Sequence, residues 1–259
     1  MIKRILNNFS IIKSIKGDTE IVAGASVLKA GQEVGQFYGH LMLHDLHEVD
    51  PNTGQPFIPG DSVANYQVAS NGWVVDKRTK TPYITQGNYS LGTTFPKFNI
   101  SFINEFTFRK FLSFGFQIDW VNGGKIYNAT KSWMYRDGIH SDYTKEIEIN
   151  GQSGAWTAFY NGVYNGVEPA GVKNYFYEDG SFVRLRNAYV GFDVAQLVKT
   201  KIRKLQLVLS GRNLLTWTNY TGMDPEVSTV FTSGVLYQRV DDHVLPNFRS
   251  YQVTLYVGF

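Results

Sequence analysis

The chain has 259 residues, of which 15% are aromatic and 18% are charged, with a net charge of +3 and no cysteine. This composition excludes disulfides, thiolate metal sites and cysteine nucleophiles, and so small a net charge does not indicate a nucleic-acid partner. The sequence has no apolar run of about 18 residues, the length that a transmembrane helix needs.

The first residues do not read as a secretory signal. Lys3 and Arg4 precede an apolar stretch, but polar residues interrupt that stretch and no small-residue cleavage site follows it. We interpret Phe9, Ile11 and Ile15 as one face of a β-strand, and we expect the chain to carry no export signal of its own.

Five later segments alternate apolar and polar residues with the period of two that is typical of a β-strand. In chain order they are residues 97–108, 111–121, 181–194, 204–217 and 249–259. The third segment is irregular, because Arg184 and Arg186 share a face with Phe182. A β-bulge near Asn187 would switch the register there.

Long and short connections alternate between these strands. The long ones are residues 44–95, 122–180 and 218–248, and the short ones are 109–110 and 195–203. This rhythm is typical of outer-membrane barrels, whose periplasmic turns are short and whose outer loops are long. With the C-terminus on the periplasmic side, Trp120 and Trp217 lie at the outer ends of their strands, where an aromatic girdle belongs.

We therefore predict an all-β fold: an antiparallel transmembrane β-barrel portion of about seven or eight strands with long extracellular loops. In lipid every backbone polar group must be paired, so the terminal strand would be paired too. Its apolar positions are Tyr251, Val253, Leu255, Val257 and Phe259, and such an ending resembles the assembly signal read by the barrel-insertion machinery. The alternative is a soluble β-sandwich, in function a carbohydrate-binding module.

Two stretches resemble SusC/RagA-type TonB-dependent outer-membrane transporters. They are EDGSFVRLRNAYVGFDV at 178–194 and LVLSGRNLLTWTNYTGMDPEVS at 207–228. The motif residues that carry the resemblance are Arg184, Asn213, Trp217, Asp224, Pro225 and Glu226. Weaker similarities at 34–40, 95–102 and 245–259 extend it in order from about residue 34 to the end.

The resemblance implies a barrel of about 22 strands with a plugged lumen. It implies import of large nutrients, oligosaccharides or peptides, driven by the TonB complex and assisted by a SusD-like surface lipoprotein. Residues 1–259 would then be a C-terminal segment, with the plug domain and the N-terminal strands absent, so that TonB would act only through the missing part. The intact protein would lie in the outer membrane of a Gram-negative bacterium, in contact with membrane lipid.

The sequence gives no support for catalysis, a metal or a cofactor. His44, Asp45, His47, Glu48 and Asp50 include metal-binding residue types, but their spacing matches no standard site, and a solvated polar loop explains them better. No nucleophile elbow, phosphate loop or dinucleotide fingerprint is present. We interpret the Asp-Pro-Glu motif as a structural turn, and we expect a protein that is not an enzyme.

Aromatic residues in the outer loops are the candidates for substrate binding. We predict this role for Trp133, Tyr135, Trp156 and Tyr160, because aromatic rings stack on the apolar faces of sugars. The alternative remains open that these rings pack the loops on each other or against a lipoprotein partner.

Overall fold

The computed structural model describes residues 3–5, 21–23, 26–28, 33, 35–109, 111–168, 171–197, 203–226 and 239–258. The predictions made for Phe9, Ile11, Ile15 and Phe259 therefore lie outside the described residues. No helix in the described ranges is long and apolar enough to cross a membrane.

Most of the described elements are strands. In chain order they are β1 (Lys3–Ile5), β2 (Ile21–Ala23), β3 (Ser26–Leu28), β4 (Gln36–Gly39), β5 (Tyr66–Val68), β6 (Val74–Asp76), β7 (Tyr89–Thr93), β8 (Phe98–Phe108), β9 (Leu112–Asn122), β10 (Lys125–Asn128), β11 (Ile147–Ile149), β12 (Gln152–Gly154), β13 (Tyr177–Asp179), β14 (Phe182–Asp193), β15 (Lys204–Thr218), β16 (Val240–Asp241) and β17 (Ser250–Gly258). The α-helices are α1 (Ala129–Arg136), α2 (Thr157–Asn165) and α3 (Val194–Leu197), and 3-10 turns occur at Val63–Asn65, Ser141–Thr144 and Asn174–Phe176.

The main sheet, which we call the wall, contains six strands in the order β1-β8-β9-β14-β15-β17. All of its neighbours are antiparallel. Its five long strands have 11, 11, 12, 15 and 9 residues. They coincide with the five segments predicted from the alternating pattern, and their ends differ from the prediction by a single residue at most. The predicted antiparallel β-fold is confirmed.

The two faces of the wall differ in polarity, as the alternation predicts. The register places Phe116 opposite Ala188, and Leu209 opposite Val253, while Asn104, opposite Phe116, is a polar exception on the apolar face. The apolar face carries Phe98, Ile100, Phe102, Phe106, Phe108, Leu112, Phe114, Phe116, Ile118, Trp120, Val183, Leu185, Val190, Phe192, Leu205, Leu207, Leu209, Leu215, Trp217, Tyr251, Val253, Leu255 and Val257. The polar face carries Asn99, Ser101, Glu105, Thr107, Ser113, Gln117, Asp119, Arg184, Asn187, Gln206, Ser210, Thr216, Gln252 and Thr254.

A β-bulge in β14 adjusts the alternation near Asn187, as predicted. The strand takes two steps from Leu185 to Asn187 while β9 takes one, so Arg186 is the extra residue. The apolar face is therefore formed by odd-numbered residues before the bulge and by even-numbered residues after it. The bulge keeps both Arg184 and Arg186 on the polar face without turning any apolar side chain away from its neighbours.

The apolar face is not a packed core. Phe102 is 44% exposed, Phe114 41% and Val253 71%. A β-sandwich would bury such residues against a second sheet. The described structure therefore does not favour the sandwich alternative, and it agrees with a wall whose apolar side meets lipid.

The hydrophobic core lies instead in the long loops. Its largest cluster consists of Met42, Ala69, Val75, Ile84, Tyr135, Ile147, Ile149, Phe159, Tyr160, Val163, Tyr164 and Phe176. Except for Met42, which lies just before the first long connection, these residues come from the first two long connections, which fold on each other. The third connection joins them through β16, which pairs in parallel with β10. We call these packed connections the loop assembly.

Phe116→Arg is expected to destabilise the wall by about 2–4 kcal/mol, because it places a charge near mid-strand on the face that we expect to meet lipid. Ile103→Arg is the matched control, since Ile103 lies near mid-strand on the polar face, opposite Gln117. The measurement is the free energy of unfolding of the protein in phospholipid vesicles. Equal losses for the two variants would contradict the assignment of faces.

Candidate functional site

Charged side chains converge on the polar face of the wall beside the bulge. Arg184 and Arg186 come from β14 and Asp119 from β9, while Asp224 and Glu226 come from the third long connection. Three carboxylates thus surround two guanidinium groups. We call these five residues the ion-pair cluster.

Arg184 is the most deeply buried member, with its side chain 2% exposed. Its guanidinium donates to Asp224 Oδ1, and its Nη1 donates to Glu226 Oε2 at 2.6 Å. Its Nε donates to Thr216 Oγ1 at 3.0 Å. A buried guanidinium costs free energy unless its charge and its donors are satisfied, and here all three nitrogens have acceptors.

Arg186 also links the wall to the third long connection. Its Nε donates to Asp119 Oδ2 at 2.7 Å, and its Nη1 and Nη2 donate to the two oxygens of Glu226 at 2.8 and 2.6 Å. This fork geometry is the strong form of an arginine–carboxylate pair. Asp119 is itself fixed, because its other oxygen accepts from Ser101 and Gln117, each at 2.8 Å.

Asn213 connects the cluster to the last strand. Its backbone φ is +52°, in the left-handed region that asparagine tolerates better than most residues. Its Oδ1 accepts from Arg186 Nη1 at 3.2 Å, and its Nδ2 donates to the carbonyl of Phe248 at 3.1 Å. An asparagine at this position thus tolerates the left-handed backbone conformation and hydrogen-bonds two partners.

The Asp-Pro-Glu segment forms a turn held on the wall. Asp224 Oδ1 accepts the Glu226 N–H at 2.9 Å, and Asp224 Oδ2 accepts the Asn247 N–H at 3.0 Å. Burial alone would raise the pKa of the Asp224 carboxyl, but the hydrogen bonds from Arg184 and the two N–H groups outweigh burial and hold the pKa below its usual 3.8. The carboxylate is therefore ionised at neutral pH.

Arg239 is a residue of this region that sequence reasoning missed. Its guanidinium donates to the carbonyls of Gly123, at 3.0 Å, and Gly180, and more distantly to that of Pro225, at 3.3 Å. A Cβ atom on Gly180 would collide with the guanidinium. The glycines at the two ends of the second connection were the available signal, because a glycine there permits another group to approach the backbone closely.

Lys173 is a second residue that the sequence did not single out. It is fully buried in the loop assembly, and its Nζ donates to the carbonyls of Tyr164 and Val167 at 2.6 and 3.1 Å. Burial lowers its pKa to about 8. It bridges two carbonyl groups near the end of α2, and the Tyr164 carbonyl also accepts the Gly171 N–H at 3.1 Å.

The structure places Tyr135 and Tyr160, two of the four predicted substrate-binding aromatics, in the core of the loop assembly. They are 1% and 2% exposed. The Tyr135 hydroxyl donates to Asp142 at 2.6 Å, and the Tyr160 hydroxyl donates to the Lys145 carbonyl at 2.8 Å. Neither ring presents a face to a ligand. For these two residues the geometry is that of the alternative reading, in which loop aromatics pack on each other.

The two predicted tryptophans remain partly accessible. Trp133 donates from Nε1 to Asp242 at 3.1 Å and stacks under the Arg136 guanidinium at 4.5 Å. Trp156 donates from Nε1 to the Ile147 carbonyl at 2.8 Å. The four predicted residues therefore do not form one aromatic surface.

The motif residue Trp217 lies away from the ion-pair cluster. It projects from the apolar face, where Val183 separates it from Trp120 in one row across three strands. The apolar residues Tyr251, Val253, Leu255 and Val257 project from the same face of β17. Their role as an assembly signal, which would include Phe259, stays a prediction.

The acidic and histidine-rich segment after Leu43 is a hydrogen-bonded turn. Glu48 Oε1 accepts the N–H groups of His44 and Asp45 at 2.6 and 2.9 Å, and Asp45 Oδ1 accepts the His47 N–H at 2.7 Å. Among the residues that the structure describes, no three histidine or acidic side chains converge as a metal site would require.

Asp224→Asn is expected to weaken the attachment of the third connection by about 3 kcal/mol, because it leaves the buried Arg184 charge short of a carboxylate. Glu226→Gln is expected to cost less, since Glu226 is 35% exposed. Asp137→Asn, in an exposed pair with Arg136, is the control and should change nothing measurable. Hydrogen exchange of residues 219–226 measures the local opening free energy. The idea fails if Asp224→Asn behaves like Asp137→Asn.

The contribution of Asp224 should also depend on pH. Its pKa is lower in the folded protein than the usual 3.8, so the unfolded chain binds more protons between the two values. The stabilisation is therefore complete above about pH 4 and is lost as the pH falls through the folded pKa. The difference in opening free energy between the wild type and Asp224→Asn should stay constant from about pH 7 to pH 5 and shrink below pH 4. A difference that shrinks already above pH 5 would rule out this titration.

Sequence comparison finds relatives among TonB-dependent receptors. No family model matches the chain. TonB-dependent receptor P3 of Formosa agariphila is 26% identical over 208 residues, which are 78% of this chain and 19% of that protein. TonB-dependent receptor P26 of the same organism is 25% identical over 181 residues, which are 65% of this chain and 18% of that protein. The chain thus spans about a fifth of the length of these relatives.

Structure comparison finds the same kind of fold. The chain matches a structure of the RagAB peptide transporter with a TM-score of 0.53 and 18% identity, over 91% of this chain and 24% of that one. It matches the RagAB peptide importer in the open-open state with a TM-score of 0.52 and 18% identity, over 100% of this chain and 28% of that one. The resemblance of this chain to SusC/RagA-type TonB-dependent transporters, first visible in the motifs around Arg184 and Trp217, is confirmed.

Proposed function

We propose that this chain forms part of the wall and the outer loops of a TonB-dependent outer-membrane transporter that imports large nutrients, either oligosaccharides or peptides. The observation that carries the proposal is the division of the structure. The five long strands of the wall have 9 to 15 residues and expose an apolar face. The hydrophobic core lies in the long loops at one end of these strands. Transmembrane barrel strands need about 9–11 residues to cross a bilayer.

The same proposal assigns the partners. A SusD-like lipoprotein would contact the loop assembly, which is the part of the chain that extends beyond the wall. The TonB complex would act through a plug domain, and the barrel-insertion machinery would read the ending that includes Val253 and Leu255. All of these partners follow from the resemblance, and the outer membrane of a Gram-negative bacterium is the place where they meet.

In this proposal the ion-pair cluster has a structural role, which is to attach the third long connection to the wall. Its guanidinium and carboxylate groups compensate one another, so it offers no unpaired nucleophile or acid–base pair. It holds the Asp-Pro-Glu turn on the polar face, and through Asn213 and Asn247 it also holds the entry to β17. A loop attached in this way keeps a fixed position above the lumen while the wall supports it.

The proposal is tested in cells by location and by uptake. Because these 259 residues contain no cysteine, Gln55→Cys in the first long connection and Arg203→Cys in a short one add single thiols here, and the unsubstituted protein measures any labelling elsewhere. A membrane-impermeant maleimide should label Gln55→Cys on intact cells and Arg203→Cys only after permeabilisation. A gene-deletion strain should grow normally on monosaccharides but lose growth on particular polysaccharides or peptide digests.

Two results would overturn the proposal. Equal labelling of both cysteines on intact cells would contradict the orientation of the wall. Unchanged growth of the deletion strain on every polysaccharide and every peptide digest would contradict nutrient import. Complementation with the intact gene is the control for the growth experiment.

A further inference from the structure

A cleft of about 380 Å³ opens in the loop assembly, between the first and second long connections. Tyr66, Asp76 and Tyr83 line it from the first connection, and Gly162 of α2 and Gly166, directly after α2, line it from the second. No member of the ion-pair cluster lines it. Its volume is at the small end of the range for ligand pockets, which suits a small ring or one end of a longer chain.

The aromatic and acidic side chains of the cleft are held close together. Tyr66 and Asp76 are direct partners in the β5–β6 ladder, so their side chains lie on the same face of this hairpin. The rings of Tyr66 and Tyr83 are 5.4 Å apart and almost perpendicular, at 82°. The Tyr83 hydroxyl donates to the Phe57 carbonyl at 2.7 Å, which fixes the second ring.

The opposite side of the cleft is backbone at two positions, Gly162 in α2 and Gly166 directly after it. A Cβ on Gly162 would lie 2.6 Å from Pro82 Cδ, and a Cβ on Gly166 would collide with Ile84. The helix therefore approaches the first connection only because these two residues lack side chains. The polar side chains that line the cleft come from the first connection, so the two connections contribute different chemistry to it.

Three polar groups at the cleft retain hydrogen-bonding capacity. Within the described ranges, neither the exposed Gln86 amide nor the Tyr66 hydroxyl has a protein hydrogen-bond partner. Asp76 uses one oxygen to accept the N–H groups of Arg78 and Thr79, at 2.8 and 2.7 Å. Burial raises the pKa of Asp76, but the hydrogen bonds to its carboxylate together outweigh burial and hold the pKa below its usual 3.8, so its second oxygen is a charged acceptor.

We propose that this cleft binds one ring of a neutral saccharide. A tyrosine ring would stack on the apolar face of the sugar, and Asp76, Gln86 and the Tyr66 hydroxyl would bind its hydroxyl groups. The inference rests on the proposed uptake function for its biological meaning: the cleft would hold a nutrient outside the wall before passage.

The chemistry of the lining selects this ligand class. No lysine or arginine is among the described residues that line the cleft, so nothing there would balance an acidic ligand. The backbones of Tyr66 and Asp76 are paired in their ladder, and the Tyr83 N–H donates to the Val74 carbonyl at 2.9 Å. The side chains of Tyr66, Asp76 and Gln86 offer both acceptors and donors at the cleft, which match the hydroxyl groups of a sugar ring.

The test is binding of neutral hexasaccharides to the detergent-solubilised protein. The probes are maltohexaose, cellohexaose and xylohexaose, with a glycine–serine hexapeptide for comparison, and titration calorimetry gives the dissociation constants. At least one hexasaccharide should bind and the peptide should not. Tyr66→Ala should weaken that binding at least about tenfold, and Tyr66→Phe much less.

Gln86→Ala keeps the inference falsifiable if Tyr66→Ala disturbs the hairpin, since Gln86 is exposed and its removal leaves the fold intact. It should weaken binding about 3- to 10-fold, the effect of one lost hydrogen bond. Gln55→Ala, an exposed glutamine outside the cleft, is the matched control and should bind as the wild type does.

Three outcomes would overturn the inference: no hexasaccharide binds, the peptide binds in place of saccharides, or both Tyr66→Ala and Gln86→Ala bind as the wild type does. The labelling and growth experiments report on the transporter whatever the cleft binds. A transporter that passes those experiments but fails the titration would refute the cleft alone.

Discussion

The pairing of the buried Arg184 guanidinium with Asp224 and Glu226 is the interaction on which the arrangement of this chain depends. Burying a guanidinium that is 2% exposed costs free energy unless carboxylates pair with it, and neither carboxylate partner of Arg184 comes from its own strand. The third connection must therefore reach back to the wall. Arg239 in that connection then joins the ends of the second one through Gly123 and Gly180, so that one buried charge sets the position of several loops.

The bulge at Arg186 makes this pairing compatible with a two-faced wall. Without an extra residue, a strand that places Arg184 and Arg186 on the polar face would turn Ala188 and Val190 to that face as well. With it, the strand keeps both arginines beside Asp119 and Glu226 while its apolar residues stay aligned with those of β9 and β15. A local irregularity in the backbone thus separates the electrostatic requirement from the hydrophobic one.

The sequence predicts the wall well and the loops poorly, for a physical reason. Alternation over eleven residues is a local signal, and it was enough to predict β8 and β9. A break in the alternation of β14 was enough to predict its bulge. The burial of Tyr135 depends on hydrogen bonds with Asp142 and Tyr175, and folding is needed to bring these residues together. In the sequence, Tyr135 cannot be told apart from any other aromatic residue of a polar loop. The family motif singled out Arg184 and Glu226. It did not predict their contact, because the two residues are 42 positions apart and no periodic pattern links them.

Because the core lies apart from the wall, the proposed orientation stabilises the two parts of the chain differently, the loop assembly in water and the wall in lipid. The loop assembly is held by burial of side chains such as Phe159 and Phe176 away from water, a driving force that weakens on cooling. The wall, whose apolar face we propose to lie in lipid, would draw little on that force and would be held by its backbone ladder, because an unpaired peptide group in hydrocarbon costs several kcal/mol. Temperature is therefore expected to act on the two parts differently: cooling weakens the packing of the loop assembly, while the strands of the wall keep their register.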